Sequence, residues 1–117
     1  MAKRAFAIIL SLVGCTAASA QPPADSVRFD LRCLLATTVV GSQASGEGRA
    51  AAMVVSTYFL GRLDGSLPAA QLEARLNQEA QELQASQIGE IARACAAVTH
   101  RRGQEVRDIG RRMGDRR

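Results

Sequence analysis

The sequence predicts an all-α protein, a small bundle of about four helices with one disulfide bond linking the first and last helices. Apolar residues recur three and four positions apart in several segments, which is the spacing of one face of a helix. No segment alternates apolar and polar residues as a half-buried strand does. The chain has 117 residues, enough for one hydrophobic core but not for two.

Residues 1–20 have the three parts of a secretory signal. Two basic residues come first, a continuous apolar stretch spans 5–13, and small residues at 18–20 form a cleavage site. The apolar stretch is far shorter than the roughly 20 residues that a membrane-spanning helix needs. We therefore expect cleavage before Gln21 and soluble export, to the periplasm or the exterior.

A second interpretation of the N-terminus depends on Cys15. Positions 12–15, Leu-Val-Gly-Cys, resemble a lipobox, in which a bacterial lipoprotein is cut before the cysteine and its thiol is acylated. The match extends over only four permissive positions, and the residues before Gln21 are an equally good ordinary cleavage context. A lipoprotein anchored through Cys15 is therefore the alternative to soluble export.

Cys33 and Cys95 are the pair that remains when Cys15 is assigned to the signal. Oxidising conditions outside the cytoplasm let disulfides persist, and small exported domains use them for stability. A bond that closes a loop of about 60 residues is worth about 4 kcal/mol in the chain-entropy model. The alternative is a pair of free, buried thiols that act as small apolar side chains.

The first two helices are expected on either side of a loop rich in Gly and Ser at residues 41–48. An extended leader at 21–25 contains two prolines, and helical structure should start with Asp25 or Ser26 as N-cap. The second helix should begin at Arg49 and end at the Gly-containing turn 61–66. Its predicted buried face is formed by Ala51, Val54, Val55, Tyr58 and Phe59.

The third and fourth helices complete the helical domain, predicted over residues 26–113. Ser66 and Pro68 suit the start of the third helix, whose apolar edge is Leu72, Leu76, Ala80 and Leu83. Its outer face is rich in Gln and Glu and is expected to be solvated. The last helix has the most regular apolar spacing, from Ile88 to Met113, with a kink or split predicted near Arg101 because of Gly103. Residues 114–117 form a basic C-terminal end.

Few residues could support chemistry. His100 is the only histidine, and Asp64 stands between glycines where turn geometry alone selects Asp. The spacing of His and Cys matches no metal-binding motif. We therefore expect no enzyme, with no catalytic residues, no cofactor and no metal.

Two surfaces could bind a partner. Tyr58, Phe59 and Arg62 belong to the most distinctive string of the chain, for which the alternative is a buried aromatic helix end followed by a turn.

The second surface is the basic C-terminus, where seven arginines face three acids after residue 100. Arg111, Arg112, Arg116 and Arg117 are the candidates for binding an anionic surface such as lipid. Alternatively, this segment is the solvated back of a core helix, because Val106, Ile109 and Met113 interleave with its arginines. Nucleic acid is not expected, since few aromatic residues are present for stacking.

The chain contains, in this order, a signal, a cysteine in the first helix, an aromatic-Leu-Gly string and a cysteine in the last long helix. This order resembles that of small helical periplasmic proteins. It is similar to HdeA-type acid-stress chaperones and to Tai-type immunity proteins. The resemblance implies a disulfide-bonded helical fold that works by binding and allows a homodimer. We expect a noncatalytic exported protein that engages a protein or envelope partner. The alternative is a periplasmic chaperone for unfolded clients, ranked second because no lysine follows Lys3, whereas those chaperones are rich in lysine.

Overall fold

The computed structural model describes residues 24–117. The predicted signal, the Cys15 alternative and residues 21–23 of the leader lie outside the described residues. The described chain forms four α-helices, α1 (Ala24–Gln43), α2 (Gly46–Asp64), α3 (Ala69–Glu82) and α4 (Ile88–Gly114), with one 3₁₀ turn at Ala85–Gln87. No strand occurs in residues 24–117, and the all-α prediction is confirmed.

α1 and α2 form a hairpin whose loop is much shorter than the predicted one. Only Ala44 and Ser45 separate the helices, because the glycines that were assigned to the loop belong to the two helices instead. Gly46 turns the chain with φ of 55°, a value that residues with a Cβ rarely adopt. Gly41 lies inside α1, where a Cβ would stand 3.1 Å from the Cβ of Ala52. The small residues therefore let the two helices approach closely.

The start of α1 and the buried face of α2 also differ from the predictions. Asp25 belongs to α1 rather than to an extended leader. Val54, predicted to be buried, is 63% exposed. The face that packs against the core is Ala52, Val55, Phe59 and Leu63. These residues are spaced three and four apart, so the helical period was correct but the face is rotated.

The core consists of two clusters of side chains. The first surrounds the disulfide and joins α1, α2 and α4; its buried members are Cys33, Val55, Phe59 and Cys95. The second joins α1, α2 and α3; its buried members are Val27, Leu31 and Leu63, against which Leu34, Leu67, Leu72 and Leu76 pack. Helices α1 and α2 contribute to both clusters, and α1 is in addition joined to α4 by the disulfide and to α3 by ion pairs.

Helix α3 is attached to α1 by charge as well as by leucines. Glu79, predicted to be solvated, is 5% exposed. Its carboxylate accepts hydrogen bonds from Arg28 Nε at 3.2 Å and Arg32 Nε at 2.9 Å. Glu82 forms a second ion pair with Arg28. The solvated-face prediction is wrong for Glu79, because hydrogen bonds from two arginines of α1 compensate for the loss of water around its carboxylate.

Helix α4 is continuous over 27 residues, and the predicted break near Gly103 does not occur. A single Gly inside a long helix costs only about 1 kcal/mol relative to Ala. This cost is too small to interrupt α4. At 1.5 Å per residue the helix is about 40 Å long, longer than the other three.

Candidate functional site

The disulfide between Cys33 and Cys95 attaches the first half of α4 to the middle of α1. The two Cα atoms are 5.6 Å apart, within the roughly 4.4 to 6.8 Å usual for a disulfide bond, and both side chains are fully buried. Ile91 and Val98 pack against the same cluster from either side of Cys95. The predicted link between the first and last helices is confirmed.

The apolar face of α4 continues beyond Val98, the last residue of this helix in a core cluster. Val106, Ile109 and Met113, called here the apolar stripe, are 66%, 47% and 62% exposed. The interpretation of this segment as the back of a core helix is therefore wrong for these side chains. Residues 101–117, called here the α4 end, present apolar side chains to solvent.

The α4 end is also strongly basic, with seven arginines and three acids. Two of the arginines form ion pairs on the surface of their own helix, Arg102 with Glu105 and Arg111 with Asp108. The other five form no ion pair with any residue in 24–117; they are Arg101, Arg107, Arg112, Arg116 and Arg117. Most of the positive charge on this segment is therefore unneutralised.

The four arginines predicted to bind an anionic surface lie together at the tip of the α4 end. Arg111 and Arg112 belong to the last turn of α4, and Arg116 and Arg117 follow its last residue, Gly114. All four are exposed. Cations at a helix C-terminus are favoured by the helix dipole, so this charge is compatible with the local fold.

The predicted Tyr58, Phe59 and Arg62 patch is divided between core and surface. Phe59 is fully buried, which corresponds to the alternative of a buried aromatic helix end, while Tyr58 is half-buried. The Arg62 guanidinium carbon lies 5.8 Å from the Tyr58 ring centroid and 5.7 Å from that of Phe59, in the range of cation–π contacts. A role in binding a partner stays a prediction for the exposed parts of Tyr58 and Arg62.

Sequence reasoning missed Asp30, which is 3% exposed. Arg62 Nε donates a hydrogen bond to its Oδ2 at 3.0 Å, while Oδ1 accepts none from residues 24–117. Burial raises the pKa of Asp30, although Arg62 opposes the shift. Because the Asp and Arg lie 32 positions apart in sequence, no local pattern could have revealed the pair.

Hydrogen bonds and neighbouring charges outweigh burial in setting the pKa of two other side chains. For Glu79, burial favours the neutral form, but hydrogen bonds from Arg32 and Arg28 outweigh it and lower the pKa. For Arg62, burial favours the neutral form, but Tyr58 and Asp30 outweigh it and raise the pKa. Both groups are therefore charged at neutral pH.

The remaining candidates for chemistry lie apart from one another on the surface. His100 is exposed on α4, with Nε2 3.2 Å from Gln104 Nε2. Asp64 is the exposed last residue of α2. A groove of about 370 Å³ lies between α1, α2 and the start of α4; small side chains line it, and Arg93 is its one charged residue. Within residues 24–117, no three His, Cys, Asp or Glu side chains form a group suited to a metal ion.

None of the helices described in residues 24–117 is both long and apolar enough to cross a bilayer. Comparison with family models, with curated proteins and with solved structures found no match to this chain. The resemblance to HdeA-type chaperones and Tai-type immunity proteins stays a prediction.

Proposed function

We propose that this chain is a noncatalytic exported binding protein that engages a protein or envelope partner through the α4 end. One observation supports this most directly. The apolar stripe lies on the face of α4 that packs into the core nearer its start, yet three large apolar side chains on it are exposed. Contiguous exposed apolar side chains beside charged ones are typical of binding surfaces.

Export to the periplasm or the exterior is part of the proposal. The signal-like residues 1–20 and the buried Cys33–Cys95 bond support it, because disulfides persist in oxidising compartments. Soluble export predicts that the mature chain starts at Gln21. A mass matching a chain that starts at an acylated Cys15 would instead establish a lipoprotein.

A chaperone for unfolded clients is the second candidate, and α2 provides the observation that favours it. Met53 and Val54 are 64% and 63% exposed, so apolar side chains face solvent on two separate helices. A chaperone can use several such surfaces for unrelated clients, whereas a specific binder uses one.

A photo-crosslinking amino acid at Gly110 tests the proposal in living cells. A Cβ at Gly110 meets no atom within 4 Å, and the same is true of Gly61 on α2, which serves as the matched control position. We expect one dominant adduct, with protein or lipid, from position 110 and none from position 61. A dominant adduct from position 61 alone would contradict the proposal and assign the partner to the surface of Tyr58 and Arg62. Equal labelling of many proteins from both positions would contradict a specific binder.

Aggregation assays separate the second candidate from the first. A chaperone should suppress aggregation of several unrelated unfolded proteins, with the effect growing on acidification as apolar surface is exposed. A specific binding protein should leave their aggregation unchanged at every pH. An adduct between two copies of the chain at position 110 would identify a homodimer.

A further inference from the structure

We propose that the partner of the α4 end is a membrane surface rich in anionic lipid. The apolar stripe enters the headgroup region, while the arginines beside it bind lipid phosphate. This inference rests on the proposed function, because it names the partner of the same surface. It goes beyond adsorption by charge, since it assigns the membrane contact to three apolar side chains.

The geometry of α4 places the stripe and the cations correctly for such contact. With about 100° between successive residues of an α-helix, Val106, Ile109 and Met113 fall within about 60° of one another. Arg112 lies about 60° to one side of Ile109, and Arg107 about 100° beyond Val106 on the other side. Glu105 lies on the same flank as Arg112, and its carboxylate is neutralised by an ion pair with Arg102. The helix therefore has a narrow apolar face with net positive charge on both flanks, as helices lying in a membrane interface do.

The length of the segment sets its orientation. The helical part of the α4 end, residues 101–114, is about 21 Å long, shorter than the roughly 30 Å hydrocarbon core of a bilayer. It can lie along the surface but cannot cross the membrane. The rest of α4 is held by the disulfide, so the bundle would remain outside the bilayer.

Charge favours a lipid surface over a second copy of this chain. The α4 end has an excess of four positive charges, so two such ends brought together would repel each other. Three apolar side chains also present far less than the roughly 800 Å² per partner that a stable interface buries. An anionic bilayer supplies both an apolar layer and a dense array of phosphates, which match the two-pronged arginine side chain.

Fluorescence tests insertion directly, because the chain has no tryptophan. The protein purified from the cell envelope, with Ile109→Trp, is mixed with vesicles of equal parts phosphatidylglycerol and phosphatidylcholine. We expect the emission to shift to shorter wavelength and to be quenched by brominated acyl chains. Met53→Trp is the control at an exposed apolar site of α2, where Met53 is 64% exposed and Ile109 47%, and its emission should not change. An unchanged Ile109→Trp emission while the protein co-sediments with the vesicles would overturn the inference.

Vesicle co-sedimentation separates the apolar contribution from the charge. Replacing all three stripe residues with serine should weaken binding at least tenfold, whereas Met53→Ser with Val54→Ser should leave it unchanged. Arg112→Gln with Arg116→Gln should weaken vesicle binding about thirtyfold. Arg49→Gln with Arg93→Gln, the charge-matched control away from the α4 end, should weaken it far less. Binding of the wild-type protein to the vesicles should weaken as salt rises and should be absent with vesicles of phosphatidylcholine alone.

The outcomes distinguish this inference from the proposed function. A specific protein adduct from position 110, together with no binding to anionic vesicles, would overturn the membrane inference and leave the binding proposal in place. Vesicle binding that is equal for wild type and both test variants would also overturn the inference. A lipid adduct from position 110, with loss of vesicle binding in the serine variant, supports both.

Discussion

Replacing both Cys33 and Cys95 with alanine should lower the free energy of unfolding by about 4 kcal/mol. The bond joins residues 62 positions apart, and the chain-entropy model gives about 4 kcal/mol for a loop of that size. A domain of this length has a total stability on the order of 10 kcal/mol. The bond therefore provides a large part of the free energy difference between the folded and the unfolded chain.

The structure also indicates which element should loosen first. Apart from Cys95, α4 contributes only the partly buried Ile91 and Val98 to the cluster around the bond. Helices α1, α2 and α3 share a second cluster that contains no α4 residue. Without the disulfide, α4 should therefore detach while the other three helices stay packed.

Urea denaturation followed by circular dichroism provides the assay. The double alanine variant and the wild type in excess reductant should unfold at the same lowered urea concentration, since both lack the bond. Met53→Ala with Val54→Ala, two substitutions at exposed positions, should change stability by less than about 1 kcal/mol. A loss below about 1 kcal/mol in the cysteine variant would refute the reasoning.

Three further predictions concern single side chains and can be checked with the same denaturation assay. Glu79→Gln should lower the free energy of unfolding by about 2 kcal/mol at pH 7, because it removes a buried charge from its arginine partners. Glu82→Gln should lower it by only about 0.5 kcal/mol, because that ion pair is exposed to solvent. The Glu79 contribution, full above its ordinary pKa of 4.5, should be lost as pH falls through the lowered pKa. Burial raises the pKa of Asp30 above its ordinary 3.8, so the wild type should gain stability relative to Asp30→Asn as pH falls towards that value; a gain on raising the pH would contradict this. Gly46→Ala should cost about 1 kcal/mol because its φ is positive, whereas Gly61→Ala, in a helix interior with open space, should stabilise by about 0.5 kcal/mol.

The sequence was sufficient to predict the helices with regular apolar spacing but not the tight hairpin. The period of three and four located α3 and α4 to within a few residues, since it depends only on local geometry. Residues 41–48 were assigned to a loop from their content of Gly and Ser. In the structure Gly41 lies where α1 meets Ala52 of α2, a use of glycine that depends on how the two helices pack rather than on the local sequence.

Prediction of the candidate surface was limited in the same way. The count of arginines after residue 100 was visible in the sequence, and it indicated an anionic partner. Whether Val106, Ile109 and Met113 face the core or solvent was not visible, because their spacing suits either. Burial of Glu79 and Asp30 depends on arginines 47 and 32 positions away, so it too required the folded chain.

The pairing of acids explains why the α4 end keeps its positive charge. The acidic helix α3 could have neutralised the arginines of α4, but Glu79 and Glu82 bind Arg28 and Arg32 of α1 instead. Within residues 24–117, the ion pairs of the α4 end are confined to neighbours on the same helix, with Glu105 and Asp108 as acceptors. Glu79 and Glu82 thus attach α3 to α1 and leave the α4 end unpaired with α3. The basic, apolar extension of α4 therefore keeps positive charge that no other part of residues 24–117 neutralises.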